Sequence, residues 1–186
     1  MTATDRRAEL LRGIHRYLAR HGLADLSLSP MAAELGTSKR MLLYYFGSRS
    51  QLLHEALATS RPDVGEMFRD VTDFDDLRAA AQRLWDAITT GEQHRLIPML
   101  FQLLGLATTR PAEYGELAVD AVRVILDPID EAQRRLGVDA QLASARASLL
   151  VSALRGLCQD RLVTGDTERV DAAARVVIDT ATAPPS

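Results

Sequence analysis

Cysteine is nearly missing from this 186-residue chain: Cys158 stands alone, which excludes an intramolecular disulfide and any cysteine-based zinc cluster. Lysine is as scarce, with Lys39 beside 21 arginines. Aromatic residues make up 5% of the chain, with a single tryptophan, Trp85. No long apolar run occurs either, the longest stretch without a charge being the 14 residues from Leu96 to Thr109. That length suits a buried helix and not a membrane span. The N-terminal MTATDRRAELLRG is not followed by an apolar segment of signal-peptide length, so the expectation is a cytoplasmic protein with no membrane contact. Absent too are a phosphate-cradling glycine loop, a His-Glu-x-x-His pair and a serine elbow. The chain is therefore expected to be no enzyme, with no metal and no cofactor.

What is present is charge unevenly divided. Residues 1–60 hold eight Arg and Lys (Arg6, Arg7, Arg12, Arg16, Arg20, Lys39, Arg40, Arg49) against five acids (Asp5, Glu9, Asp25, Glu34, Glu55), a net of +3. The whole chain carries −3, so the remainder is −6. A basic head on an acidic body suits nucleic-acid binding by the head.

Periodicity points to helices throughout. Leu10, Leu11, Ile14 and Leu18 repeat at the spacing of one helical face, and no segment alternates with period two. Breakers divide residues 1–60 into four short helices. Gly22 ends the first, Ser29-Pro30 opens the second, Gly36 closes it, Thr37 or Ser38 caps a third that runs to Phe46, and Ser48 caps a fourth. Pro62 and Gly65 mark a junction. Longer helices are expected over 75–90, 93–107, 112–136, 140–163 and 168–181, with Pro98 early in the second of these, where it is expected to open the ladder. The expected fold is all-α with about nine helices. The expected domains are a head, 1–60, and a body, 61–186.

The segment LGTSKRMLLYYFGSR, Leu35 to Arg49, carries the functional signal. A short helix, a turn holding Gly36 and a second short helix have the spacing of a helix-turn-helix. Leu42 and Phe46, four apart, anchor one face, which leaves polar residues on the others. Lys39 and Arg40 suit guanine edges, and Met41 and Leu43 suit thymine methyls. Tyr45 and Arg49 suit phosphate oxygens, as do Ser27 and Ser29 on the other flank, and Ser38 and Tyr44 join this phosphate-facing set.

Residues 7–53, with GTSKRMLLYYFGS at their centre, resemble the N-terminal domain of TetR-family transcriptional regulators. The resemblance implies a homodimer that binds a double-stranded operator through a helix-turn-helix and responds to a small effector bound in the body. Lys39, Arg40, Met41 and Leu43 fall at base-facing positions of that family, and Tyr45, Arg49 and the Ser27/Ser29 region at phosphate-facing ones. Leu43 stands where many members have tyrosine, and Tyr45 where histidine is common. The resemblance places the effector pocket on the middle helices, which carry Trp85, Ile88, His94, Met99, Phe101 and Leu103; a largely apolar or amphipathic ligand is expected there. It places the dimer contact on the last two helices. Their small residues suit close helix approach, and the expected face comprises Ala145, Ser148, Ser152, Gly156, Val170, Ala174 and Val177. An alternative is a helical dimer that binds a small molecule or protein while its head leaves DNA alone. Leu43 favours that alternative, and Lys39-Arg40 opposes it.

Overall fold

The computed structural model describes residues 3–23, 26–58, 62–91, 94 and 97–185. Ten α-helices are present among them: α1 Ala3–His21, α2 Leu28–Glu34, α3 Lys39–Phe46, α4 Arg49–Ala58, α5 Val64–Arg69, α6 Phe74–Thr89, α7 Ile97–Thr109, α8 Pro111–Arg135, α9 Ala140–Thr164 and α10 Thr167–Ala181. Among the described residues no helix is long and apolar enough to cross a membrane. The chain divides into two compact units, residues 1–61 with 95–121, and residues 62–94 with 122–186.

The first unit is built on α1. Leu10, Ile14, Tyr17 and Leu18 are buried on one side of it, and the core they join includes Met31, Leu42, Phe46, Leu52, Leu53 and Ala56 from α2, α3 and α4. Gly22 ends α1 with φ +71°, and its N–H donates to the Leu18 carbonyl at 2.8 Å. Residues 97–118 pack into the same core through Met99, Leu103, Tyr114, Leu117 and Ala118. Hydrogen bonds tie this segment to the end of α1: the Leu23 N–H donates to Gln102 Oε1 at 2.8 Å, and the Tyr114 hydroxyl donates to the Leu23 carbonyl at 3.3 Å.

In the second unit α9 packs chiefly on α10, and both meet α6. The contact is lined by small side chains, with Ala80, Ala81, Ala143, Ala147, Ala174 and Ala181 all fully buried, which lets the helices approach closely. Asp139 caps α9 by accepting from the Gln141 and Leu142 N–H groups, and Gly165 ends it in the left-handed region. Cys158 is buried on the inner side of α9, and burial pushes its thiol pKa up to about 11. It is an apolar filler with no nucleophilic character at neutral pH.

Three expectations change. A tenth helix, α5, occupies part of the expected junction; Asp63 caps it by accepting from the Glu66 N–H at 2.9 Å, and Val64 and Phe68 fix it to the core. The second helix starts two residues earlier than expected, with Ser27 at the N-cap position, so Ser29 and Pro30 lie inside its first turn, where a missing N–H costs no bond. Pro98 likewise sits in the first turn of α7 and opens nothing; Pro128, inside α8, is the proline that removes a helical bond. The expected start of the seventh helix, at Gln93, lies outside the described residues.

Candidate functional site

The helix-turn-helix forms as a local consequence of three features. Leu28, Met31 and Ala32 bury one side of α2, and Leu42 and Phe46 bury one side of α3. Between them Gly36 turns the chain with φ +62°, and the Thr37 N–H donates to the Ala32 carbonyl at 2.9 Å. The Ser38 hydroxyl then accepts from the Met41 N–H at 3.2 Å, capping α3. A second close approach holds the turn against α1: a Cβ added at Gly13 would lie 2.5 Å from Leu35 Cδ2.

The anchored face of α3 decides what its other faces offer. Lys39 and Arg40 are exposed and make no ion pair among the described residues. Met41 is 38% exposed, and Tyr44, one helical turn beyond Arg40, is 75% exposed. The Tyr44 ring meets Tyr45 edge to face, with centroids 5.2 Å apart, which orients it. Leu43 and Tyr45 are both half-buried against the core of the unit. Of the four base-facing candidates, Lys39, Arg40 and Met41 stand on the open surface, while Leu43 serves packing; Tyr44 occupies the outward position.

The phosphate-facing candidates divide in the same way. Ser27 and Ser29 are exposed at the N-terminal end of α2, and Ser27 makes no side-chain capping bond. Ser38 is exposed but committed to its cap. Arg49 differs most from expectation. One amino group donates to the Tyr114 hydroxyl at 2.8 Å, the other pairs with Glu113 at 2.7 Å, and the guanidinium carbon lies 5.4 Å from the Tyr114 ring centroid. Its side chain joins the start of α4 to the start of α8, so its guanidinium is already engaged by Glu113 and Tyr114.

Arg7 is the contributor that spacing does not reveal. Its Nε donates to the Tyr45 carbonyl at 3.2 Å, its amino group binds Glu55 at 2.5 Å, and its guanidinium lies 5.2 Å from the Phe46 ring centroid. It therefore supports the last turn of α3 from below. The partners are 38 and 48 residues away, and no local pattern links them.

The six effector-pocket candidates fall into different surroundings. Met99 and Leu103 are buried in the core of the first unit, and Phe101 is half-exposed on the same helix. In the second unit Trp85 is buried and donates to Asp171 Oδ1 at 3.0 Å, beside a polar cleft of about 130 Å³ that includes Gln82, Thr89, Arg161 and Arg175. Ile88 is half-buried; its carbonyl lies 3.3 Å from His94 Nδ1 and also receives the Cys158 thiol at 3.7 Å. His94 thus closes the chain after α6.

On the last two helices, Ala145, Ser148, Ser152 and Gly156 lie exposed along one side of α9, and Val177 is half-buried on α10. Val170 and Ala174 are corrections: both have no exposed surface, because they form the contact of α10 inside the subunit. The outward position on α10 belongs to Val176, 65% exposed.

Residues 10–56 match the family model described as bacterial regulatory proteins, tetR family. A search of curated protein sequences returned no match. Solved structures share the fold over nearly the whole chain. SmeT, the repressor of the Stenotrophomonas maltophilia multidrug efflux pump SmeDEF, is 19% identical with a TM-score of 0.70, covering 95% of this chain and 88% of its own. Salmonella enterica GusR is 14% identical with a TM-score of 0.73, covering 98% and 97%. The multidrug binding protein EbrR, complexed with imidazole, is 20% identical with a TM-score of 0.69, covering 98% and 92%.

Proposed function

We propose that this chain, whose N-terminal domain is that of the tetR family, is an effector-responsive transcriptional repressor that binds a palindromic operator as a homodimer. One observation carries the reading: α3 presents Lys39, Arg40 and Tyr44 on an open face while Leu42 and Phe46 hold its other side in the core. Arg40 has the planar fork that suits guanine O6 and N7, and Lys39 supplies a point charge beside it. Tyr44 brings a hydroxyl to the same surface, in the place that Leu43 leaves. Ser27 and Ser29 contact the backbone on the opposite flank and set the register.

A helix-turn-helix dimer reads two half-sites about 34–36 Å apart, one turn of DNA. The exposed sides of α9 and α10 join two subunits and fix that separation. An effector bound in the body releases the operator if it binds the non-binding arrangement more tightly than the binding one. SmeT is named for control of a drug efflux pump and EbrR for binding several drugs, which supports a small amphipathic effector. Residues 1–60 act as the DNA-binding head and 61–186 as the effector and dimerisation body, in the cytoplasm.

The test is a selection of genomic fragments with the purified chain, followed by affinity measurement over a salt series. Fragments carrying an inverted repeat are expected, with affinity falling steeply as salt rises because bound phosphates release counterions. Recovery of no fragment above background would sink this reading.

A further inference from the structure

The helix that carries Lys39, Arg40 and Tyr44 is too short to hold its own pose. α3 has eight residues, and isolated helices of fewer than about 12–15 residues are marginal in water. Its placement is therefore set by what grips it. Leu42 and Phe46 bury one side, and Ser38 caps the N-terminal end. At the C-terminal end the last carbonyls have no partner further along the helix. The Gly47 N–H donates to the Leu43 carbonyl at 2.8 Å, and the Ser48 N–H to that of Phe46 at 2.9 Å. The Tyr45 carbonyl is met from α1, by Arg7 Nε at 3.2 Å.

Three features suit Arg7 to this place. A cation at the C-terminal end of a helix complements the partial negative charge there. The guanidinium also lies 5.2 Å from the centroid of Phe46, so it grips the buried anchor of the same turn. Both carboxylate oxygens of Glu55, on α4, accept from one amino group at 2.5 Å, which fixes the plane of the fork. A second contact from α1 bears on the turn before α3, where a Cβ at Gly13 would lie 2.5 Å from Leu35 Cδ2. Arg7 and Gly13 are six positions apart, about 9 Å along α1. One helix thus bears on α3 near both of its ends.

We propose that Arg7 is a positioning residue for sequence recognition: it fixes the pose of α3, and so decides how well Lys39, Arg40 and Tyr44 meet base edges, without itself touching DNA. Arg7 lies outside residues 10–56, which match the family model. The assignment rests on the operator-binding reading above. A recognition helix free to tilt still attracts phosphate, because charge acts over several ångströms, but it misplaces bidentate contacts whose geometry is strict. Loss of Arg7 therefore falls on the operator and spares non-specific DNA.

Arg7→Met keeps an apolar stem over Phe46 and removes every donor. Full-length wild type and variant are compared over a salt series on a fragment recovered by genomic selection and on a scrambled duplex of the same length. Operator binding is expected to weaken at least about tenfold and scrambled-duplex binding less than about twofold, with the salt slope unchanged. Without DNA, hydrogen exchange at the Gly47 amide is expected to quicken at least about tenfold while the amides of α9 keep their rates. If Arg7→Met does not fold, Glu55→Gln carries both measurements, since it removes the charge that orients the guanidinium; a loss of at least about threefold on the operator alone is expected. Equal loss on both duplexes, with a salt slope shallower by about one, would make Arg7 a phosphate contact and overturn the proposal. A lower melting temperature with operator affinity and Gly47 exchange unchanged overturns it too, leaving Arg7 a general brace. Recovery of no fragment by wild type removes the regulator reading, and the exchange rates then decide separately whether Arg7 holds α3.

Discussion

Arg40 and Arg49 are nine residues apart, and elementary chemistry gives both the same fork of donors; their surroundings separate their roles. Arg40 is exposed and unpaired among the described residues, so it is available to a base edge. Arg49 is held by Glu113 and Tyr114. Arg40→Ala is expected to reduce discrimination at one operator position by about 1–3 kcal/mol. Arg49→Ala is expected to lower the melting temperature, because it leaves the Tyr114 hydroxyl and Glu113 without their cation, and to leave the salt slope of DNA binding unchanged. Thermal denaturation and a salt series on the two variants check this; a shallower salt slope for Arg49→Ala would restore it to the phosphate set. The exposure of Arg40 was legible in sequence because local spacing alone turns it away from Leu42 and Phe46. That of Arg49 was not, since its partner Tyr114 lies 65 residues along the chain. The cover over Leu43 was not legible for a similar reason: the helical spacing allowed it an open face, and only the core packed around it shows that it is half-covered.

Elements were legible where an apolar stripe spans several turns and a breaker stands at its end. The helices at 75–90, 112–136 and 140–163 were expected within one or two residues of α6, α8 and α9. The six residues of α5 give too short a stripe, and Gly65 within them reads as a breaker; the Asp63 cap and the Val64–Phe68 pair make the helix. Packing between elements also sets a titration that no pattern announces. His15 on α1 lies 2.9 Å from the Ala56 carbonyl on α4, and burial lowers its pKa below the ordinary 6.5 despite that bond. The native unit therefore holds the neutral ring, while the unfolded chain takes up a proton near pH 6.5. Stability from this source is present in full above pH 6.5 and declines as pH falls from there toward the lower folded pKa. His15→Gln, whose amide can donate to the same carbonyl, is expected to flatten the decline between pH 7 and 5.5, read as melting temperature against pH. An unchanged slope would assign the titration to another group.

For the whole molecule the deciding surface is the outward side of α9. Leu142, Leu149 and Val163 are 39%, 47% and 79% exposed, and Ala145, Ser148, Ser152, Gly156 and Gln159 lie exposed between them with no charge among the eight. They share one face at helical spacing over 22 positions, about 31 Å of helix. The opposite face of α9 carries Ala143, Ala147, Leu150, Leu154 and Cys158 into the core of the unit, so the helix is apolar on two sides and only one is covered within the subunit. Val176 extends the open surface onto α10. The proposed homodimer would cover this surface by two-fold symmetry, with small residues allowing close approach at the axis and Leu149 and Val176 filling the gaps. Sedimentation at micromolar concentration is then expected to give twice the 20.4 kDa chain mass. A carboxylate placed at the centre of this surface would be buried without a partner, so Leu149→Glu and Val176→Glu are each expected to yield folded monomers. Those monomers would bind a single half-site weakly and lose the requirement for an inverted repeat, because nothing then fixes two recognition helices one DNA turn apart. A wild-type monomer at that concentration, or variants that stay dimeric with helicity intact, would move the subunit contact elsewhere on the chain.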